Sequence, residues 1–346
     1  FGKKNLICGK KQCSLLGQVV LMSVLFSACD NELELVTEWK DIPVVYGLID
    51  RQDSVHLIRI EKAFIDPQNS ALELAQIPDS LYYDNLTAQI KILRTEEVFT
   101  LERVNGDDEG FPREDGGAFA TSPNFLYKLV LPGDRRFNSG ERLQLILNRG
   151  DDLELVTAET SVASDLDLVS PNQNLTRNIQ FNTNFNAGWN FATEDTDIFD
   201  LSFILHYEER DVNESEWLPR TLTWDLARSI IPDENSNGTQ TRTIPGNDLF
   251  RFMGSNIDVV PGMIRRFVSV SVRVDGGGPE VRRYIEQGKV NTGITSSQVI
   301  PTYTNLSEGF GVFSSTNTVL VDGFILNTRS RDSLRIGQFT APLNFQ

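Results

Sequence analysis

Hydrophobic and polar positions alternate with a period of two over much of the chain, as they do in strands with one buried face. Residues 42–49 form a compact β-rich run, 50–53 a polar turn and 55–60 a returning strand, which together predict a hairpin. Residues 86–93 place Ala88, Ile90 and Ile92 on one face. Further strands are expected at 98–104, 125–131, 142–148 and 153–162. The turns fall at Pro132-Gly133-Asp134 and Gly150-Asp151-Asp152, a loop at 105–117, and a short helix at 71–75. Short strands at this spacing predict an immunoglobulin-like β-sandwich over residues 42–163.

A second β-rich domain, with one or two short helices, is expected over 164–346, entered through a polar joint at 164–178. Its clearest strand, 198–208, puts Phe199, Leu201, Phe203, Leu205 and Tyr207 on one face, with 218–226 as its pairing partner. Residues 233–241 read as a polar hairpin tip and 247–253 as one or two helical turns. Residues 266–274 alternate as a half-buried strand. Gly276-Gly277-Gly278 stops it, and Pro279 suits the first position of a helix through Gln287. Residues 310–314 and 319–326 read as closing strands, so the fold class is mainly β throughout.

The N-terminus breaks this pattern. Residues 1–28 contain four lysines and no acid, then an apolar stretch from Leu15 to Phe26 that is too short to span a bilayer. These are the parts of a secretory signal, although a buried N-terminal helix is the bland alternative. Ser27 and Ala28 directly before Cys29 resemble a bacterial lipobox, in which the chain is cut between Ala28 and Cys29 and the cysteine is lipidated. Phe26 departs from the usual leucine, and the Ser-Ala-Cys ending is similar to lipoproteins of the Bacteroidota. Residues 1–28 are then the signal peptide and 29–41 a tether. Cleavage would remove Cys8 and Cys13 and leave 28 Lys+Arg beside 48 Asp+Glu, a formal net charge of −20. Several acyl chains would anchor such a body durably where one would not.

Charge excludes one class of function. The whole chain carries a formal −16, the wrong sign for a nucleic-acid binder. Two histidines, His56 and His206, leave no metal site or Ser-His-Asp set, so no catalytic residue, metal or cofactor is expected. Asp233 to Gly238 and Asn105 to Glu109 have calcium-loop chemistry but read better as solvated loops. Trp189, Trp217 and Trp224 are the candidates for stacking on a sugar ring, with packing as the alternative. Ser54, Ser80 and Ser333 each follow an aspartate and precede an apolar residue, which is similar to the Bacteroidota O-glycosylation site.

A regional resemblance completes the reading. Pro43 to Ile49, Asp53-Ser54-Val55-His56 and Arg59 to Phe64 resemble the opening of an uncharacterised family of Bacteroidota outer-membrane lipoproteins. Tyr303 to Phe313 resembles the "TNI-x-x-G-x-G-x-F" segment near their C-terminus, where Gly309 and Gly311 would allow a tight turn or bulge. The resemblance implies the outer membrane as location, reached through the lipid on Cys29, and carries no activity. The expectation is a non-enzymatic accessory or binding subunit, facing outward, beside a transport barrel. A surface glycan-binding module and an envelope hydrolase are the competing readings.

Overall fold

The computed structural model describes residues 41–64, 75–113, 116–117, 119–150, 153–172, 177–233, 236–291 and 303–346. The signal peptide, Ala28, Cys29 and the tether up to residue 40 lie outside the described residues. So does the helix expected at 71–75, except for Ala75, which sits in a turn.

The first segment runs β1 (Asp41–Asp50), β2 (Val55–Phe64), α1 (Pro78–Leu81), β3 (Thr87–Ile92), β4 (Val98–Thr100), β5 (Glu102–Asn105), β6 (Phe125–Val130), β7 (Arg142–Asn148) and β8 (Val156–Ser161). The second runs β9 (Asp167–Ser170), β10 (Asn178–Ile179), β11 (Phe185–Asn190), β12 (Ile198–Asp211), β13 (Leu218–Ile230), β14 (Thr239–Ile244), α2 (Asp248–Asn256), β15 (Met263–Gly277), α3 (Pro279–Asn291), β16 (Phe310–Leu326) and α4 (Thr328–Ile336). The chain is mainly β, with few short helices. α2 and α3 answer the helices expected from sequence, and α4 adds a third in the second segment.

One long sheet organises both segments, in the order β13-β12-β15-β16-β1-β2-β6-β5, with β10 also paired to β16. A four-stranded sheet, β4-β3-β7-β8, faces its first half and a three-stranded sheet, β14-β11-β9, its second. The first core is the sandwich filling: Ile58 and Ile60 from β2, Ile90 and Ile92 from β3, Leu143 and Leu145 from β7 are all buried. The expected strand at 98–104 is two strands, because the chain changes sheets at Leu101: β4 pairs with β3 and β5 pairs with β6. The second core is aromatic, with Phe181, Trp189, Phe199, Phe203, Phe250 and Phe324 buried together.

β16 joins the two. The closing strands expected at 310–314 and 319–326 are one continuous strand of 17 residues. Its first half runs parallel to β1 (Val44 opposite Phe310 to Asp50 opposite Thr316), and its second half runs antiparallel to β15. On its inner face Phe313 lies in the first core and Val321 in the second, with Ser315 and Asn317 buried between them. Polar residues looked like an interruption of the strand, but here their side chains are hydrogen-bonded inside it. The division expected at 163/164 separates most of the two cores, yet Leu306 and Phe313 of the second segment sit in the first.

The residues of the C-terminal "G-x-G" segment hold this parallel pairing. Asn305 acts as a backbone mimic: its Oδ1 accepts from Phe313 N at 3.0 Å, and its Nδ2 donates to Phe313 O at 2.7 Å and to Glu159 O at 3.0 Å. Gly311 has φ 99, and a Cβ there would stand 1.9 Å from the Val45 carbonyl oxygen. Only glycine allows β16 to lie this close to β1.

The hairpin expected around 233–241 is not formed. β14 pairs with β11 of the small sheet and not with β13. Alternation along β15 is also broken once: His206 faces Ser269 while Tyr207 faces Phe267, so Val268 is an extra, exposed residue in a bulge.

Candidate functional site

The joint between the two cores is the most constructed polar site. Gly276-Gly277-Gly278 ends β15 without side chains, so that α3 can start against the sheet with Pro279 at its head. A Cβ at Gly276 would come 2.8 Å from Thr196 Cγ2 and one at Gly278 2.9 Å from Ser314 Oγ. The Glu280 carboxylate accepts from Thr160 Oγ1 and Ser314 Oγ, both at 2.9 Å. Ser315 Oγ donates to Ser161 O at 2.7 Å and accepts from Ala163 N at 2.7 Å. Asn317 Nδ2 donates to Ser164 O at 2.6 Å, while its Oδ1 accepts from Gln52 Nε2 at 2.7 Å. Ser164 N donates to Thr196 Oγ1 at 2.8 Å. Buried polar groups are tolerated only when partnered in this way.

Charge and aromatic contacts fasten α3 from outside. Arg282 Nη1 donates to Asp197 Oδ2 at 3.1 Å, and burial raises the Asp197 carboxyl above the usual range. Tyr284 meets Tyr46 edge-on at 6.2 Å. The Tyr46 hydroxyl is pushed up to about 12 by its hydrogen bond with Tyr284, then by burial. Beside the helix is a groove of about 120 Å³ lined by Ile198, Phe199, Asp275, Gly276, Val281 and Ile285, among others. That is well below the roughly 300–1,000 Å³ of sites that enclose a drug-sized ligand. The joint holds the two segments together through buried hydrogen bonds.

The tryptophans do not converge. Trp189 is fully buried in β11 against Phe199, at 5.5 Å between centroids, which corrects its assignment as a stacking surface: no indole face reaches solvent. Its packing supplies hydrophobic area, and its Nε1 has no partner among the described residues. Trp224 lies half-buried on β13, stacked on Phe252 of α2 at 5.5 Å and 20°. Trp217, at the β12–β13 hairpin end, has the Arg210 and Arg266 guanidiniums 4.9 and 4.5 Å from its ring centroid. Its ring is engaged by cations of the same chain.

Ser54, Ser80 and Ser333 are each half-buried: Ser54 in the β1–β2 turn, Ser80 in α1 and Ser333 in α4. His56 is buried on β2 with its ring 5.4 Å from Phe137 and its Nε2 unpartnered among the described residues. Burial lowers its pKa from 6.5 to about 4, against a small opposing effect of Asp53. His206 Nε2 lies 2.8 Å from Ser271 Oγ across the β12–β15 pair, and Ser271 is wholly buried. Among the described residues, no group of three or more His, Cys, Asp or Glu could hold a metal ion.

Sequence reading missed a second network. Asp107, Glu109, Phe111 and Arg113 of the loop expected at 105–117 are fastened to β2, β6 and Asn124, not simply solvated. Glu61 receives Arg59 Nη1 at 3.1 Å and also Arg113 Nη2. Arg59 also donates to Asn124 Oδ1 at 2.9 Å. Asn124 is fully buried and donates to Asp107 Oδ1 at 2.9 Å and Phe111 O at 2.8 Å. Lys128 Nζ reaches Glu109 Oε1 at 2.8 Å. Asp107 and Glu109, two of the three acids in the candidate calcium loop, are thus bound within the chain, and Asp108 Oδ2 accepts from Asn105 Nδ2 at 3.3 Å. Burial lowers the affinity of both Arg59 and Arg113 for their protons. The visible signal was Arg59 and Glu61, two residues apart on one face of a strand whose partner β1 is almost wholly apolar.

No family model and no curated protein matches the chain. Among solved structures, the C-terminal globular domain of an oligosaccharyltransferase from Pyrococcus abyssi is 11% identical over 68% of this chain, with a TM-score of 0.25. The match takes in 46% of that structure's own chain, less than half its length. A chain described as a cytokine receptor complex is 11% identical over 83% of this chain and 99% of its own, with a TM-score of 0.22. Chicken CNTN1 FN1–FN3 domains are 10% identical over 80% of this chain and 66% of theirs, at 0.17. Likenesses this slight carry nothing about function.

Proposed function

We propose that this protein is a lipid-anchored, non-enzymatic lipoprotein of the outer membrane, a rigid accessory or binding subunit that faces outward beside a transport barrel. The observation that carries the proposal is the N-terminal series: four lysines, an apolar stretch from Leu15 to Phe26, then Ser27-Ala28-Cys29. Lipid on Cys29 would anchor a body that is otherwise strongly acidic. The tether would then enter β1, which β2 and β16 hold from both sides in the long sheet. A body with a continuous sheet and a hydrogen-bonded joint suits a spacer or subunit that presents its surface in one orientation. Among the described residues no helix is long and apolar enough to cross a membrane.

The test is metabolic labelling with a fatty acid, followed by fractionation. The native chain is expected to take up label and sediment with outer membrane. Cys29→Ala is expected to lose the label and accumulate with its leader uncut. Equal labelling of the two ends the proposal.

A further inference from the structure

Asparagine is a chemically labile residue, most of all before glycine, whose nitrogen no side chain shields from the asparagine carboxamide. The chain holds two such pairs, Asn105-Gly106 and Asn237-Gly238, and the fold treats them differently. Gly106 is buried, and its N donates to Asn124 O at 2.6 Å. Asn105 stands opposite Phe125 in the β5–β6 ladder. Its Oδ1 accepts from Asp107 N and its Nδ2 donates to Asp108 Oδ2, both at 3.3 Å. The nitrogen and the group it would attack are both held. Asn237 is exposed and Gly238 half-buried, at the centre of a turn closed by Thr239 N donating to Ser236 O at 2.9 Å. Both residues have positive φ, 47 and 78. Among the described residues neither Gly238 N nor the Asn237 carboxamide has a hydrogen-bond partner.

We infer that Asn237 is a site of spontaneous deamidation, and that the fold spares Asn105. The reaction needs only water. Gly238 N attacks Asn237 Cγ, a C–N bond forms, and the carboxamide nitrogen leaves as ammonia, taking the proton from Gly238 N. Water then opens the succinimide ring. Opening at Cγ gives aspartate, and opening at the Asn237 main-chain carbonyl gives isoaspartate, in which the chain runs through the side chain. Attack requires Asn237 to rotate out of its turn, which costs the bond that closes it; at Asn105 it requires breaking a buried strand pair. Either product adds a carboxylate, and isoaspartate also lengthens the main chain by a methylene. The position matters because Gly238 O accepts from Phe191 N at 2.9 Å, and Thr239 stands opposite Asn190 at the end of the β11–β14 pairing. Thr239 Oγ1 also donates to Asn190 Oδ1 at 2.9 Å. Isoaspartate at position 237 therefore disturbs one end of the small sheet that covers the second core.

Peptide mapping by mass spectrometry, with the full chain incubated at mildly alkaline pH in heavy-oxygen water, reads the reaction site by site. The folded chain is expected to take up the label at position 237, mostly as isoaspartate, and to keep Asn105 intact. In urea, where both turns are released, both sites should react. Asn237→Gly accepts the positive φ without a side chain, so it should abolish the signal from this turn with an unchanged melting curve. Chain aged until position 237 is converted should exchange amide hydrogens faster at the β11–β14 end, and Asn237→Gly aged alongside should not. Two results overturn the inference. One is Asn237 left intact in the folded chain over the time in which the unfolded chain reacts. The other is label at position 105 equal to that at position 237 in the folded chain.

Discussion

The two cores share one sheet and are built differently. The first lies between four strands of the long sheet and four of a small one, and it is filled mostly by Val, Ile and Leu. The second lies under only three strands, and α2 and α4 complete its cover. Its filling is correspondingly large: Trp189 meets Phe199 at 5.5 Å, Phe181 meets Phe203 at 5.6 Å, and Trp224 stacks on Phe252. Where a narrow sheet cannot span the space, rings and helices do so. The long sheet ends in an edge strand on each side, β5 at the first core and β13 at the second, where Leu222, Trp224 and Leu226 are only half-buried. The wider cover lets aliphatic side chains fill the first core, and the narrower one leaves rings and helices to close the second.

Cutting each core in turn gives the largest effect. Trp189→Ala should destabilise by about 4 kcal/mol and Leu145→Ala by about 3, as deletions of fully buried side chains do. Because β16 belongs to both cores, calorimetry should show a single transition lowered by either change. Two separated transitions would mean that the cores melt independently.

Gly311→Ala attacks the shared strand directly. A positive φ together with a 1.9 Å approach to Val45 O should cost about 3 kcal/mol and loosen the β1–β16 pairing. Hydrogen exchange should then rise on both strands; protection retained there would show that the close approach is dispensable.

His56 separates the cores by pH, since it lies in the first segment alone. The unfolded chain takes up a proton near 6.5, and the folded one only near 4. The unfolded state therefore binds more protons in that window, so stability is full above it and falls as pH drops through it, by up to about 3 kcal/mol. His56→Phe should flatten this slope in denaturant titrations; an unaltered slope would move the cause elsewhere.

The smallest change tests the joint. Asn317→Leu strands the Ser164 carbonyl, removes the acceptor of Thr318 N and of Gln52 Nε2, and should cost about 2 kcal/mol. A neutral result would mean that the buried polar layer does not couple the two halves.

Much of the strand pattern was legible because alternation is local. Residues 142–148 and the face of 198–208 needed only their own side chains to be read, and Pro279 marked the start of α3. The candidate site was less legible. Trp189 and Trp217 both sit in Asn-rich or Glu-rich surroundings, and nothing near either in the chain tells that one is buried and the other clamped by Arg210 and Arg266. The Arg59–Glu61–Arg113 network was hidden for the same reason, since its members come from a strand and a distant loop.

By itself, the amino-acid order determined a mainly β chain, the glycines at 309 and 311 and a basic-apolar stretch before Cys29. Tertiary structure decided the rest: that β1 lies parallel to β16, that one sheet serves two cores, and that Ser315 and Asn317 are buried between them. The physical reason is distance along the chain. A strand's own periodicity states which face it buries, but its neighbour is chosen by packing and hydrogen bonding with residues hundreds of positions away.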